Sequence, residues 1–139
     1  MKNQIIIAAL FFTFNCFAGM NTEDASISEQ PTAKTVIVIH GGAGWSQGAS
    51  DEKQHAIKSG LKKALDTGFS ILESGGSILD AVEAAIVVLE DNPVFNAGRG
   101  SVYTAEEKQE MDASIMSGID QDAGAVASIS RVKNPIKLA

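Results

Sequence analysis

The most constraining feature of this sequence is an uninterrupted apolar run at residues 35–39, Thr-Val-Ile-Val-Ile. Each position carries a β-branched side chain, and polar residues do not alternate with apolar ones, which is typical of a strand covered on both faces. Such a strand needs a layer of structure on each side. The run therefore predicts a layered fold in which helices cover a sheet.

Two helical patterns follow this run with a short break between them. Ser50 and Asp51 provide the chemistry of a helix start, and Gly75-Gly76 predicts the end of the first helix. A second helix is expected to start at Ser77 and to stop before Pro93, because proline cannot continue a helix. The apolar positions predicted to face the core are Ile57, Leu61, Ala64, Leu65, Leu72, Leu79, Val82, Ile86 and Leu89.

Three short strand patterns come after the helices, at residues 101–104, 112–116 and 125–130. Asn134 and Pro135 then resemble an N-cap followed by proline at the first helical position, which predicts another helix start. Strands on both sides of a helix pair indicate the α/β fold class, built as layers.

The N-terminus has the three parts of a secretory signal peptide. Lys2 is its only charge, residues 5–14 are almost wholly apolar, and small side chains at Cys16 and Ala18 favour cleavage after Ala18. The apolar run is about half of the roughly 20 residues that a membrane-spanning helix needs, so a membrane anchor is less favoured. Lipidation of Cys16 is the remaining alternative. We therefore expect a signal peptide at 1–18, a flexible leader at 19–34, a folded part at 35–139, and a periplasmic or secreted protein.

The composition of the sequence, and the motifs that it lacks, exclude several classes of function. The chain has a net charge of −6, and an acidic surface repels nucleic acid and anionic membranes. Cys16 is the only cysteine, and His40 and His55, the only histidines, have no acidic helical partner at metal spacing, so no zinc site is expected. Walker A and dinucleotide-binding glycine patterns are absent from the sequence.

A glycine-rich segment, His-Gly-Gly-Ala-Gly at residues 40–44, directly follows the predicted strand. The backbone N–H groups of such a loop can bind a developing oxyanion, because glycine removes the Cβ obstruction. A tight turn that needs glycine for space is the alternative. Serine esterases also carry loops of this type, but their Gly-x-Ser-x-Gly nucleophile motif is missing from this sequence.

A second glycine-containing turn, residues 89–100, leaves the end of the second helix through Pro93. Carbonyl groups at a helix C-terminus lack intrahelical partners and can bind a hard cation through oxygen. The amide of Asn96 can donate and accept hydrogen bonds and so fix a neighbouring group. An ordinary proline-terminated helix end is the alternative.

Four blocks of sequence, in the same order, resemble the plant-type asparaginase and isoaspartyl peptidase family. The similarity covers residues 35–139, and several ordered blocks are more specific than any one glycine loop. The blocks are Ile-Val-Ile-His-Gly-Gly-Ala-Gly at 37–44, Asn-Pro-Val-Phe-Asn-Ala-Gly-Arg-Gly-Ser at 92–101, Met-Asp-Ala-Ser-Ile-Met at 111–116, and Gly-Ala-Val-Ala at 124–127 with Val-Lys-Asn-Pro-Ile at 132–136.

The resemblance implies an N-terminal nucleophile hydrolase with a four-layer αββα sandwich, of which residues 35–139 would be the incomplete N-terminal portion. Members of this family are made as inactive precursors that cut themselves before a threonine. That threonine becomes the nucleophile, and its freed α-amine can act as general base for its own hydroxyl. No Gly-Thr dipeptide occurs in this sequence, so the resemblance places no catalytic residue in this chain.

The resemblance also implies supporting roles for residues of this chain. Asn96 would orient the nucleophile region, and the backbone of His40, Gly41 and Gly42 would lie near the site. Catalysis would need no cofactor, but a structural sodium ion would be bound by main-chain oxygens. Those oxygens belong to Leu89, Glu90, Asn92, Phe95, Ala97 and Arg99.

We therefore expect the front part of an exported asparaginase or isoaspartyl peptidase, inactive by itself, acting as a complete enzyme on asparagine or a β-aspartyl dipeptide. Its partner would be the missing C-terminal subunit, in a dimer of αβ pairs. The alternative is a truncated, non-catalytic exported module that binds a small amino-acid ligand or a partner protein. Saturable binding without turnover would distinguish that module.

Overall fold

The computed structural model describes residues 35–43 and 48–139. In chain order they form helix α1 (Asp51–Glu73), helix α2 (Ile78–Glu90), strand β1 (Met111–Met116) and strand β2 (Ala123–Ile129), with 3₁₀ turns at Gly98–Gly100 and Pro135–Lys137. A helical hairpin is thus combined with a small antiparallel sheet, which agrees with the predicted mixture of helix and strand. The signal peptide predicted at 1–18 and the leader at 19–34 lie outside the described residues and stay predictions.

Both helices begin at the residues that the sequence predicts. The backbone N–H of Lys53 donates to Ser50 Oγ at 3.3 Å, and that of Asp80 donates to Ser77 Oγ at 3.0 Å. Each serine thereby satisfies one of the N–H groups that a helix start leaves without an intrahelical partner. Within the described residues, no helix has the combination of length and apolar character needed to cross a membrane.

At the start of α2 the two helices pack through small residues, whereas the predicted Leu89 is buried near its end. A β-carbon at Gly68 would lie 2.9 Å from the carbonyl oxygen of Ala81 and 3.3 Å from Cβ of Ala85. This close approach rotates α2 so that Ala81, Ala85 and Leu89 are buried. The prediction that Leu79 and Val82 face the core is therefore wrong, since their side chains are 40% and 37% exposed.

A compact apolar core joins the helices to the turn that follows α2. Its buried members are Ile57 and Ala64 of α1, Leu89 of α2, and Phe95 of the turn. Half-buried side chains complete it: Ile39, Leu61, Ile86, Val88 and Val94. The core thus fixes the glycine-containing turn against the helical hairpin, which determines where the polar groups of that turn lie.

The apolar run at 35–39 differs from its prediction as a strand covered on both faces. It forms no strand pairing within the described residues. Val36 and Val38 are 69% and 87% exposed, whereas Ile37 and Ile39 are half-buried. Only one face is covered because the helices lie on one side and no described strand lies beside the run.

The later segments follow their predictions in part. Strands β1 and β2 confirm the patterns at 112–116 and 125–130, whereas the pattern at 101–104 has only an isolated bridge from Tyr103 to Gln109. The predicted helix start at Asn134 is a 3₁₀ turn without a side-chain cap. The Asn134 amide donates to Asp91 Oδ1 instead, at 3.1 Å, so a tertiary contact replaces the local cap.

Candidate functional site

Two asparagine side chains shape the turn after α2 by accepting backbone hydrogen bonds. Asn92 Oδ1 accepts from the backbone N–H of Val94 at 3.1 Å, and Asn96 Oδ1 accepts from that of Val102 at 2.9 Å. Phe95 lies between them and is only 4% exposed. The buried ring anchors the turn, and the exposed Asn96 follows it directly.

The bond to Val102 determines what the Asn96 amide can do. Because Oδ1 is the acceptor in this bond, the Nδ2 group of Asn96 keeps two N–H donors. None of the hydrogen bonds formed among the described residues uses those donors. The geometry therefore presents Asn96 as a positioned donor, which is compatible with the predicted supporting role without testing it.

The glycine-rich loop is held by a bond inside the loop. The backbone N–H of Gly42 donates to His40 Nδ1 at 3.1 Å. A ring nitrogen that accepts is unprotonated, so the Nε2 nitrogen of a neutral His40 carries the proton. In this conformation the Gly42 N–H is occupied by His40, so its predicted use as an oxyanion donor would require that bond to break.

Gly41 brings the same loop against the core. A β-carbon at Gly41 would lie 3.1 Å from both Leu61 Cδ2 and Phe95 Cε1. The loop and the Asn96 turn consequently face each other across Phe95. The structure therefore brings together the two segments that the sequence singles out.

Between these segments lies a cavity of about 790 Å³. Its apolar lining comes from both helices and from the segments around Ile39 and Phe95, and His40, Lys53 and Asn96 contribute polar groups. Lys53 was not singled out by sequence reasoning. Its position four residues before Ile57 on α1 places both on one helix face, and that spacing is the signal that would have identified it.

The sodium loop expected from the resemblance lies at residues 89–99, where two glycines allow main-chain carbonyls to approach closely. A β-carbon at Gly98 would lie 2.5 Å from the carbonyl oxygen of Glu90, and one at Gly100 would collide with that of Phe95. Gly98 also has φ of +51°, which disfavours any residue with a side chain. These two carbonyls therefore face positions that carry no side chain, so the loop closes tightly upon itself.

Three of the four remaining oxygens of the loop are also compatible with a cation. They accept backbone hydrogen bonds from the N–H groups of Asn92, Phe95 and Gly100 at 3.0–3.2 Å. A carbonyl has two lone pairs, so each retains capacity to coordinate a hard cation. These three acceptors are the main-chain oxygens of Leu89, Asn92 and Ala97.

Two acidic side chains at the end of α2 hold the segment that follows β2. Glu90 is only 3% exposed, and its Oε1 accepts from the backbone N–H of Ile136 at 3.1 Å. The next residue, Asp91, accepts from Lys133 Nζ at 2.9 Å and is 40% exposed. Contacts more than 40 residues apart in sequence thus tie α2 to residues 133–136.

The two carboxyls differ in electrostatic environment. Burial raises the pKa of Glu90, although the Ile136 N–H and the nearby Asn134 amide oppose that effect. Hydrogen bonds from Lys133 and Asn134 lower the pKa of the half-buried Asp91. Sequence reasoning named Glu90 for its main-chain oxygen and missed its buried side chain, which the four-residue spacing from Ile86 could have indicated.

The described part of the chain contains no group of three or more His, Cys, Asp and Glu side chains arranged to hold a metal ion. Thr67 Oγ1 donates to the Lys63 carbonyl on α1, and Thr104 Oγ1 accepts from the N–H of Glu106. Both hydroxyls therefore serve local backbone structure.

Comparison with known proteins relates the amino-acid sequence to one family. The sequence model of the asparaginase family matches residues 33–139. Over 104 residues the chain is 48% identical to an isoaspartyl peptidase/L-asparaginase of Bos taurus, which covers 75% of this chain and 33% of that protein. It is 49% identical over 106 residues to the Xenopus laevis protein of the same name, covering 76% and 33%.

An archaeal relative is also similar. The plant-type L-asparaginase of Pyrococcus furiosus is 54% identical over 103 residues, covering 74% of this chain and 33% of the relative. The chain therefore spans about a third of the length of the curated relatives that it matches.

Proposed function

The chain belongs to the asparaginase family, and from that premise we propose that it is the front part of an exported hydrolase that cleaves asparagine or β-aspartyl peptides. The observation that carries this proposal is the family match over residues 33–139. Relatives 48% and 54% identical are named isoaspartyl peptidase/L-asparaginase and plant-type L-asparaginase, which supports both substrates. The apolar run, the helices and β1–β2 would then belong to a larger αββα sandwich.

In the proposed reaction a threonine outside these residues is the nucleophile. Self-cleavage would free its α-amine, which removes the proton from its own hydroxyl as that hydroxyl attacks the substrate carbonyl. Ammonia or an amine leaves with a proton, and an aspartyl ester remains on the threonine. Water then hydrolyses the ester, which releases aspartate and restores the hydroxyl.

The residues of this chain would position rather than react. The bond from Val102 holds the Asn96 side chain so that its Nδ2 donors are available to orient the threonine. The backbone loop at His40, Gly41 and Gly42 would border the same cavity. A sodium ion bound by the carbonyls of the 89–99 loop would supply positive charge at the C-terminus of α2, a charge that helix dipoles favour there.

Export, processing and assembly complete the proposal. The N-terminal pattern supports a signal peptide and a periplasmic or secreted location. Processing would give two subunits, of which this chain supplies part of the first, and two αβ pairs would form a dimer. None of these features requires nucleic acid or a membrane as partner.

The decisive experiment uses the complete gene product. We expect it to split into two polypeptides, the second beginning with threonine, and then to release ammonia from asparagine or aspartate from a β-aspartyl dipeptide. Mass spectrometry of the purified protein and the two product assays measure these results. Saturable binding of asparagine without self-cleavage or turnover would reject the hydrolase and favour the non-catalytic binding module.

A substitution at Asn96 tests its positioning role in that product. Asn96→Asp keeps an oxygen that can accept from Val102 and removes the Nδ2 donors. We expect kcat to fall by about 10²-fold, because misplacing a reacting group by about 1 Å has an effect of that size. The thermal melting temperature and the mass of the processed subunits are measured beside kcat. An unchanged kcat in a processed, stable variant would contradict the assigned role.

A further inference from the structure

The packing of α1 against α2 does not explain why the carboxyl group of Glu90 is buried. Glu90 is only 3% exposed, and its Oε1 accepts the Ile136 N–H. Its other oxygen, Oε2, is buried and has no hydrogen-bond partner among the described residues. A buried carboxylate with an unpaired oxygen is unfavourable unless a positive charge lies near it; otherwise the group takes up a proton, and burial does raise the pKa of Glu90.

The lysines near Glu90 do not supply that charge by direct contact. Lys133 Nζ is bonded to Asp91, at 2.9 Å from Oδ2. Lys137 is exposed on the 3₁₀ turn Pro135–Lys137, and its charge acts on Glu90 from a distance, without a direct ion pair. The charge of Glu90 therefore has no ion-pair partner within the described chain.

The main-chain carbonyls of the 89–99 loop, in contrast, lack a negative charge. Six neutral carbonyls can replace the water around a cation, but they carry no net charge to compensate its transfer into a partly buried loop. The backbone of Glu90 lies inside this loop, since a β-carbon at Gly98 would lie 2.5 Å from the Glu90 oxygen and 2.8 Å from its Cα. One residue thus contributes a loop carbonyl and a buried carboxylate.

We infer that the Glu90 carboxylate is the fixed counter-charge of a monovalent cation bound in the 89–99 loop. The inference rests on the proposed cation site, and it adds a role for a side chain. Covalent geometry limits the separation: the carboxyl carbon of a glutamate lies at most about 6 Å from its own carbonyl oxygen. A cation bound to that oxygen at about 2.4 Å is therefore within roughly 8 Å of the charge.

The same side chain extends the consequence of cation binding beyond the loop. Because Glu90 Oε1 also accepts from Ile136, the cation, the end of α2 and residues 133–136 form one connected unit. Loss of the cation would leave the carboxylate unpaired at the contact that holds residue 136. We therefore expect sodium to stabilise this contact as well as the loop itself.

The test compares thermal unfolding of the complete gene product in sodium chloride and in choline chloride at equal ionic strength, choline being too large for the loop. The wild-type melting temperature should be higher in sodium by roughly 5 °C or more. Glu90→Gln keeps an oxygen acceptor for Ile136 and removes the charge. Its sodium affinity, from the sodium dependence of the melting temperature, should fall by roughly tenfold to thirtyfold.

The change that Glu90→Gln causes in the melting temperature in choline distinguishes a counter-charge from a packing role. Without a bound cation the unpaired charge is unfavourable, so Glu90→Gln should melt at or above the wild-type temperature in choline and below it in sodium. Asp66→Asn is the control, because it removes one exposed charge on α1, paired with Lys62 and outside the 89–99 loop. It should lower the melting temperature equally in both salts.

Several outcomes would overturn the inference. A full sodium effect in Glu90→Gln would show that the carboxylate is not the counter-charge, and equal destabilisation in both salts would indicate packing alone. A wild-type protein without any sodium effect would remove the cation site and the inference together. Turnover of asparagine in the same preparations is a separate readout, so failure here leaves the proposed hydrolase intact.

If Glu90→Gln is too unstable to purify, the comparison is made for every variant in the same concentration of sucrose. This osmolyte strengthens folding without supplying a cation. The contrast between the two salts is therefore still measured.

Discussion

Residues 19–139 expressed by themselves should release no ammonia from asparagine and no aspartate from a β-aspartyl dipeptide. The proposed reaction requires a threonine freed by cleavage after glycine, and no Gly-Thr dipeptide occurs in this sequence. Without the nucleophile we expect turnover to fall by about 10⁶-fold, which is below detection. Coupled assays for both products, at enzyme concentrations far above those used for the complete product, measure this result.

The matched control adds the rest of the protein. The complete gene product, purified in the same way, should split into two polypeptides and hydrolyse one or both substrates. Turnover by residues 19–139 alone would contradict the assignment of the nucleophile to another part of the protein. The catalytic group would then have to be sought around the cavity near His40, Lys53 and Asn96.

The same segment should also fail to unfold in a sharp, cooperative transition. Val36 and Val38 are 69% and 87% exposed, and the run that contains them has no paired neighbour among the described residues. A cavity of about 790 Å³ beside the small core leaves further apolar surface without packing partners. Unpaired strand edges and uncovered apolar faces favour association between copies.

Calorimetry, dye binding and light scattering on the isolated segment test this expectation. We expect a broad transition without a defined enthalpy peak, binding of a hydrophobic dye such as ANS, and growth of large particles on warming. The complete gene product is the control and should show a sharp transition. A monomeric segment with a sharp transition and no dye binding would contradict the proposal that these faces are covered by the rest of the enzyme.

Local chemistry in the sequence was sufficient to place most of the regular structure. Ser50 and Ser77 cap α1 and α2 where they were expected, because a cap depends on residues within one helical turn. Strands β1 and β2 were also predicted, since short alternating segments joined by a polar turn pair with each other. The ordered sequence blocks identified the family, which the comparison over residues 33–139 confirmed.

Contacts distant in sequence decided the features that were predicted wrongly. Gly68 allows α2 to approach so closely that Ala81 and Ala85, rather than Leu79 and Val82, face α1. Helical periodicity shows which residues share a face, but the size of the residues on the opposite helix decides which face is buried. In the same way, Asn134 binds Asp91 instead of capping a helix.

The candidate site shows the same difference between short-range and long-range contacts. The sequence by itself determined the family, the two helices and the residues from which the turn and the glycine loop are made, because these depend on short-range patterns. Only the tertiary structure brought His40 and Asn96 to one cavity and placed the Glu90 carboxylate in a buried position against Ile136. Burial and charge pairing depend on neighbours 40 or more residues away, which no local pattern specifies.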